Sequence, residues 1–245
     1  MSKNEEKSIV KTLESISFSN EIILVDNDSS DQTVEIAKEH KAQIYERNLD
    51  NDFSRQRNFG LEKAKGDWVL FIDADEVLSQ ELTDEIKKII TNESSSKSAY
   101  YLKRRDFWWG RELRYGEVKK VRQEGLIRLV KKGSGQWQGL VHERFVITGQ
   151  TGRLRGFINH YPHQTISSFL SDINFYSTLR AKELVQQKKR AFIITILLYP
   201  LGKFIHTYFI QLGFLDGAPG FTYAFLMSFH SFLVRAKQYQ YLHLE

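Results

Sequence analysis

The chain has 245 residues, of which 41% are apolar and 27% are charged. These proportions are typical of a globular chain long enough to bury a sizeable core, and they exclude a mostly disordered protein. The absence of cysteine excludes a disulfide scaffold, a cysteine-ligated zinc site, an iron–sulfur cluster and a cysteine nucleophile. No signal peptide is expected, because residues 1–14 are polar and charged.

Charge is distributed unevenly along the chain. Residues 1–90 contain 12 Lys and Arg against 20 Asp and Glu, whereas residues 91–245 contain 23 against 10. Acidic groups in the first part are suited to holding a metal ion. The basic second part is suited to meeting phosphates, nucleic acid or an anionic membrane surface.

Strand and helix patterns alternate through the first ninety residues. Short apolar runs predict strands at 21–26, 42–45 and 68–72. Amphipathic or capped stretches predict helices at 33–40, from a Ser54 cap to about Lys65, and at 83–90. This order predicts a mostly parallel sheet covered on both faces.

The signals become mixed after residue 91. A loop is expected at 92–98, followed by an irregular α+β region with strands at 100–102 and 126–130. Residues 165–187 have the pattern of a polar amphipathic helix.

The C-terminal part is apolar and aromatic, with a basic start. The apolar run 191–201 follows Lys188-Lys189-Arg190, contains Pro200 and is soon interrupted by Lys203, so a membrane-spanning helix is not favoured. Two interpretations remain open: a helix lying in the membrane interface, or a buried helical pair that closes the core.

Acidic residues follow the predicted strand at 68–72. Asp73, Asp75 and Glu76 stand where this strand ends, and Asp26 ends an earlier strand. Adjacent parallel strands would present these acids at one rim of one sheet, where ligands bind in α/β folds. Mg²⁺ or Mn²⁺ would offset the repulsion between the acids and bridge to a nucleotide diphosphate. The simpler alternative is that Asp73 and Asp75 are solvated turn residues.

Three motifs together resemble family 2 glycosyltransferases of the GT-A fold. They are Val25-Asp26-x-x-Ser29-x-Asp31-x-Thr33, Gln56-Arg57-Asn58-Phe59-Gly60-Leu61, and Ala64-x-Gly66-Asp67-Trp68-Val69-Leu70-Phe71-Ile72-Asp73-Ala74-Asp75-Glu76. Later segments, Val141-His142-Glu143-Arg144 and Gly213-Phe214-Leu215-Asp216-Gly217, are similar to the branch with lipopolysaccharide core glucosyltransferases. The resemblance implies an α/β, Rossmann-like mixed sheet with helices on both faces in residues 1–160, and a helical amphipathic extension in residues 161–245.

The resemblance also implies roles for individual residues. Asp26 would contact the nucleotide base, Arg57 would lie near the donor diphosphate, and Asp73 would lie on the ribose side. Asp75 would bind the divalent metal, Mg²⁺ or Mn²⁺. The sugar would be displaced at its anomeric carbon with inversion, while a carboxylate takes the proton of the acceptor hydroxyl.

Other assignments have open alternatives. Glu143 is the candidate base, or else a surface residue paired with Arg144. His142 and His160 are candidates for a further metal ligand, or else structural hydrogen-bonding groups. The tryptophans Trp108, Trp109 and Trp137 would stack on sugars or pack in the core. The cluster Lys103-Arg104-Arg105 would meet acceptor phosphates or form a solvated face.

Two departures from the family pattern stand out. Members normally begin with an apolar strand before the stretch matched by residues 3–6, and only Met1 and Ser2 stand there. Loss of that strand would leave strand edges unpaired, and it has three explanations: a misplaced start, a trimmed chain or a degenerate copy. Asp28 stands where the family usually has Gly, although Asp tolerates unusual backbone angles.

These observations predict a metal-dependent glycosyltransferase, cytoplasmic and peripheral at the inner membrane face. It would move a sugar from a UDP-hexose donor to a lipid-linked saccharide such as lipopolysaccharide core. The alternatives are a nucleotidyltransferase or phosphatase using the same acids, and a catalytically impaired, membrane-attached sugar-binding protein. Nucleic acid is not an expected partner, because no recognition motif supports it.

Overall fold

The computed structural model describes residues 1–50, 52–91, 96–139, 143–162 and 165–243. The chain forms two compact units. The first comprises Met1–Arg105 and Val121–Tyr161, and the second comprises Asp106–Lys120 and Pro162–Glu245. The expected domain boundary near residue 160 stays a prediction.

The described residues form strands and helices along the whole chain. The strands are β1 (Ile23–Asp26), β2 (Gln43–Glu46), β3 (Trp68–Leu70), β4 (Glu76–Leu78), β5 (Lys97–Trp108), β6 (Arg111–Leu113), β7 (Leu126–Lys131), β8 (Gly135–Gln138), β9 (Arg144–Ile147) and β10 (Gln150–His160). The α-helices are α1 (Ile9–Ser15), α2 (Thr33–Glu39), α3 (Phe53–Lys63), α4 (Gln80–Ile90), α5 (Lys119–Glu124), α6 (Ile166–Gln186), α7 (Ile193–Phe204) and α8 (Gly217–His243).

The strands form three sheets. β1 and β2 pair in parallel, β8 and β9 form a hairpin, and six strands form the largest sheet in the order β3-β7-β5-β10-β4, with β6 beside β5. The α/β class with a helical C-terminal region is confirmed. The expectation of a mostly parallel sheet is wrong, because β3 pairs antiparallel with β7 and β4 antiparallel with β10. Strands from distant parts of the chain can meet in this orientation without a helical crossover.

Two helices begin earlier in the chain than predicted, because an upstream residue caps each of them. Asp52, rather than Ser54, caps α3 and accepts a hydrogen bond from the Arg55 N–H at 2.9 Å. Ser79 caps α4, which therefore begins before the predicted Thr83. Both side chains accept a bond from a first-turn N–H that has no partner within the helix.

Helix α1 was not predicted. Its sequence is polar overall, but Ile9 and Leu13 are buried, and they belong to an apolar cluster with Leu24 and Ala37. The cluster packs α1 against β1 and α2. Four residues separate Ile9 from Leu13, so both side chains lie on one face of the helix.

The second unit is built from α6, α7 and α8 around a tryptophan. Trp108 is fully buried and meets the rings of Phe169 and Tyr223 edge-on at centroid distances of 5.6 and 5.7 Å. Pro200 of α7 accepts a hydrogen bond from the Ser228 hydroxyl of α8 at 2.6 Å. These contacts hold the three helices together.

Helix α7 does not form a buried pair. None of its residues is buried, and Ile194 and Leu197 are 62% and 64% exposed. The buried-pair interpretation of the C-terminal part is therefore wrong for this helix. The continuous helical stretch Ile193–Ile210 is also long and apolar enough to cross a membrane, by length and composition alone.

Gly156 allows β10 and α4 to approach closely in the first unit. A Cβ atom at this position would lie 2.4 Å from the backbone nitrogen of Leu82 and 2.5 Å from its Cα. Leu82 is fully buried in a cluster with Leu102 and Ile158. Only glycine allows this approach without displacing the backbone.

We expect Gly156→Ala to lower the free energy of unfolding by about 1–3 kcal/mol, because the added methyl group overpacks the contact between β10 and α4. Chemical denaturation measures the change. The matched control is Gly202→Ala on α7, where a Cβ atom would have no neighbour within 4 Å. The control should be neutral or stabilising by about 1 kcal/mol or less, and equal losses in the two variants would contradict the packing argument.

Candidate active site

Asp73 and Asp75 lie in the tight turn between β3 and β4. The Glu76 N–H donates to the Asp73 carbonyl at 3.0 Å, and the Asp73 N–H donates to Oε2 of the Glu76 side chain at 3.0 Å. Glu76 is fully buried. These two hydrogen bonds fix the backbone that carries both aspartates.

Arg128 on β7 holds the same turn. Its Nη2 donates to Asp73 Oδ2 at 2.8 Å and to Glu76 Oε1 at 3.1 Å. Arg104 on β5 lies 3.6 Å from the same Glu76 oxygen. Hydrogen bonds between ionised groups are the strongest that side chains make, so the turn is tied to the sheet from two neighbouring strands.

The sequence analysis did not identify Arg128 as a site residue. The available signal was a single charged residue inside the apolar strand 126–130. A charge at such a position needs a partner, because an unpaired charge is costly to bury. Sequence alone does not name the partner, since Asp73 lies 55 residues away along the chain.

Arg57 on α3 links Asp73 with Glu143. Its Nη2 lies 3.1 Å from Asp73 Oδ1, and its Nε donates to Glu143 Oε1 at 2.8 Å. Its guanidinium carbon lies 4.8 Å from the centre of the Trp137 ring. The described structure therefore brings together three predicted site residues from three separate segments of the sequence.

The hairpin of β8 and β9 is fixed to α3 beside Arg57. The Asn58 side chain donates to the backbone carbonyl of Trp137 at 2.9 Å and accepts from the backbone N–H of Trp137 at 2.8 Å. The Trp137 ring packs edge-on against Phe71 and Phe145. Trp137 is therefore a core residue that also supports Arg57, and Glu143 directly precedes β9 on the same hairpin.

The surroundings of the two aspartates lower their pKa values. Burial raises the pKa of Asp73, but Arg128 and Arg57 outweigh burial and hold this pKa well below its usual value. Burial likewise raises the pKa of Asp75, and His160 outweighs it, so the net pKa shift is downward. Burial lowers the pKa of the Met1 α-amino group near Asp73. Both aspartates are therefore ionised across the physiological pH range.

Asp75 and His160 form the pair best suited to a divalent cation. His160 ends β10 opposite Glu76 of β4, and its Nε2 lies 3.2 Å from Asp75 Oδ2. A hard cation commonly takes only one or two protein ligands and completes its shell with water and substrate phosphate. The described residues contain no group of three His, Cys, Asp or Glu arranged for a metal. The pair of Asp75 and His160 is compatible with such a site, whereas Asp73 is already paired with two arginines.

Asp26 lies in a different sheet from Asp73. It ends β1, which pairs with β2, whereas the strand before Asp73 pairs with β7, so the expected shared rim of one sheet is wrong. Asp26 is buried and accepts hydrogen bonds from Ser29 and from the Ser2 hydroxyl at 2.7 Å. Ser2 also pairs with β1 as a single isolated bridge.

The turn after β1 explains one departure from the family pattern. Asp28 adopts a φ angle of 56°, in the left-handed region that favours glycine. Aspartate is among the residues that tolerate this region best. The turn is therefore compatible with Asp at this position.

Two further site predictions, for His142 and Trp109, are not tested by these contacts. His142 lies outside the described residues. Trp109 belongs to the second unit, where it is 44% exposed and stacks on Trp108 at a centroid distance of 4.4 Å. Their assignments stay predictions.

A family model described as glycosyl transferase family 2 matches residues 1–156. The chain belongs to glycosyltransferase family 2. This glycosyltransferase is 32% identical over 251 residues to an uncharacterized glycosyltransferase of Rickettsia prowazekii, with 97% of this chain and 84% of the relative covered. It is 29% identical over 247 residues to the lipopolysaccharide core biosynthesis glycosyltransferase LpsC of Rhizobium meliloti, with coverages of 97% and 89%.

Solved structures similar to this glycosyltransferase include S. aureus TarS in complex with UDP-GlcNAc. The TM-score is 0.49 at 14% identity, and the match covers 100% of this chain and 90% of the TarS 1–349 chain. Another is glucosyl-3-phosphoglycerate synthase of Mycobacterium tuberculosis in complex with Mn²⁺, UDP and glucosyl-3-phosphoglycerate. Its TM-score is 0.46 at 15% identity, with coverages of 77% and 78%.

The lowered pKa of Asp73 predicts a loss of stability in acid. A carboxyl group whose pKa is lower in the folded than in the unfolded protein stabilises the fold above the unfolded pKa of about 3.9. This stabilisation is lost as the pH falls through the folded pKa. We therefore expect Asp73→Asn to be less stable than the parent protein at pH 7, with the difference shrinking below about pH 4.

Thermal unfolding at a series of pH values measures this difference. Asp67→Asn, which changes an exposed acid just before β3, is the matched control and should follow the parent protein. A stability difference for Asp73→Asn that is constant from pH 7 to the acid range would contradict the ion-pair argument.

Proposed function

We propose that this glycosyltransferase transfers a hexose from a UDP-sugar to a lipid-linked saccharide such as lipopolysaccharide core, with inversion at the anomeric carbon. The observation that carries the proposal is the Arg57 bridge, which joins the predicted donor-side acid Asp73 with the predicted base Glu143. The name of the LpsC relative supports a lipopolysaccharide acceptor.

The residues of the site then have distinct roles. Arg57 contacts the donor diphosphate, Asp73 contacts the ribose, and Asp26 contacts the nucleotide base. Glu143 accepts the proton of the acceptor hydroxyl as that oxygen bonds to the anomeric carbon and the diphosphate departs. A negative charge develops on the departing diphosphate, so a cationic group already in place lowers the barrier.

Asp75 and His160 would hold a divalent cation, Mg²⁺ or Mn²⁺. When bound, such an ion supplies Lewis-acid stabilisation of the leaving diphosphate. His160 is fixed on β10 and Asp75 by the turn at Glu76, so both ligands belong to rigid elements. Their exposures of 14% and 24% leave room for further ligands from water and substrate.

We expect Asp75→Asn to reduce sugar release from UDP-hexoses on the order of 10²-fold or more, because the amide replaces an anionic metal ligand. The measurement is Mn²⁺-dependent hydrolysis or transfer, with a chelator-treated sample beside it. Asp67→Asn is the matched control, since it makes the same chemical change at an exposed position.

Three other outcomes would contradict the proposed function, each in a different way. Equal activity of Asp75→Asn and the parent protein would contradict metal dependence. Pyrophosphate release from UTP and a hexose 1-phosphate, without sugar transfer from UDP-hexose, would identify a nucleotidyltransferase. Binding of UDP-sugars without any turnover would identify the impaired sugar-binding protein.

We further propose that the second unit attaches the enzyme to the inner face of the cell membrane. Its exposed apolar side chains, called here the apolar face, are drawn from residues 192–225. They are Phe192, Ile193, Ile194, Leu197, Leu198, Tyr199, Leu201, Ile205, Phe209, Ile210, Leu212, Phe214, Leu215, Phe221 and Phe225. So many exposed large apolar side chains in one segment are unusual for a soluble monomer, and extended exposed apolar surface marks an interaction site.

The charges around the apolar face favour an anionic bilayer. Residues 184–243 contain six Lys and Arg but only one acid, Asp216. Asp216 is buried and accepts hydrogen bonds from two backbone N–H groups, so it does not repel lipid phosphates. Lys203, which interrupts the apolar sequence, forms an ion pair with Glu117 at 2.6 Å and is thereby compensated.

We expect the full chain to co-sediment with vesicles that contain anionic lipid. Replacing Lys188, Lys189 and Arg190 together by Ala should weaken this binding by about 3 kcal/mol, at about 1 kcal/mol for each basic residue near the surface. Leu197→Ser on the apolar face should also weaken binding.

Leu126→Ser, an exposed leucine of the first unit, is the matched control for Leu197→Ser and should bind as the parent protein does. A full chain that stays in solution with these vesicles would contradict the proposal. Dimerisation in light scattering that disappears in Leu197→Ser would assign the face to self-association instead.

A further inference from the structure

Glu143 is bound to Arg57 in this structure, although catalysis requires its carboxylate to receive a proton from the acceptor. Its bond to Arg57 Nε at 2.8 Å is the only hydrogen bond that the described residues give it. Its side chain is 13% exposed. The Glu143 side chain has to leave Arg57 before an acceptor hydroxyl can take the place of the guanidinium group at Oε1.

Two of the three guanidinium nitrogens of Arg57 are already held by carboxylates. Its Nε binds Glu143, its Nη2 binds Asp73, and one face of its guanidinium lies over Trp137. The side chain is only 7% exposed. An incoming diphosphate therefore competes with these two carboxylates for the Arg57 guanidinium group.

Asp73 and Glu143 would be affected differently if Arg57 gave up its ion pairs to bind another anion. Asp73 has a second cation, Arg128, at 2.8 Å, so it stays paired when Arg57 turns to another anion. Glu143 has no second ion pair among the described residues. The cluster already places the three guanidinium groups of Arg57, Arg104 and Arg128 against the carboxylates of Asp73, Glu76 and Glu143. A diphosphate that takes Arg57 therefore leaves Glu143, but not Asp73, without an ion pair among the described residues.

We infer that the donor diphosphate displaces Glu143 from Arg57 and thereby frees it to act as the base. This inference rests on the proposed function of the same site. Arg57 is then both a donor contact and the residue that couples donor binding to the proton acceptor.

The test is the affinity of the full chain for UDP and for uridine, measured by titration calorimetry without acceptor. Glu143→Gln removes the charge that competes for Arg57. Glu143→Asp keeps the charge but shortens the side chain by one methylene group, which breaks the contact. We expect both variants to bind UDP on the order of tenfold more tightly than the parent protein, with uridine affinity unchanged.

Two results would overturn the inference while leaving the proposed donor in place. UDP affinity that is unchanged or weaker in both variants would show that Glu143 does not compete with the diphosphate. Tighter binding in Glu143→Gln alone would show a general charge effect, as would an equal gain in the control Asp67→Asn. A parent protein that binds no UDP would instead reject the proposed donor, and the inference with it. Thermal unfolding verifies that each variant is folded.

Discussion

The buried guanidinium of Arg128 constrains the whole site. It lies on an inner strand of the largest sheet, and Arg128 is only 4% exposed. A charge at this depth needs partners, because an unpaired buried ion costs several kcal/mol. Its partners are Asp73, in the turn after β3, and Glu76, the first residue of β4. The requirement to compensate one arginine thus decides where the acidic turn must be.

The same arrangement separates two kinds of carboxylate. Asp73 and Glu76 are engaged by arginines, whereas Asp75 faces the imidazole of His160. A cation is therefore better placed at Asp75 than at its neighbour two residues earlier. Glu143 is intermediate in its pairing, because it forms an ion pair with a single guanidinium group. Differences in pairing, rather than residue type, distinguish the roles proposed for the four acids.

The two units differ in which side chains they enclose and which they expose to solvent. The first unit encloses ionised groups and compensates them with ion pairs. The second exposes large apolar side chains along residues 192–225, where the charge of Lys203 is paired with Glu117. Apolar surface of this extent is unfavourable in water. A lipid surface would remove these apolar side chains of the second unit from water.

The sequence by itself determined the local elements and the kinds of residue at the site. The apolar run ending at Ile72 predicted β3 and placed Asp73 and Asp75 at its end, because these features depend on neighbours in the chain. Family 2 membership followed from the motifs and is confirmed. Only the tertiary structure decided that β3 pairs with β7, that Asp26 lies in a separate sheet, and that Arg128 and Glu76 support the site. It also decided that α7 is exposed. These features depend on contacts between residues far apart in the chain, and periodicity within a segment carries no information on which distant segment will cover it.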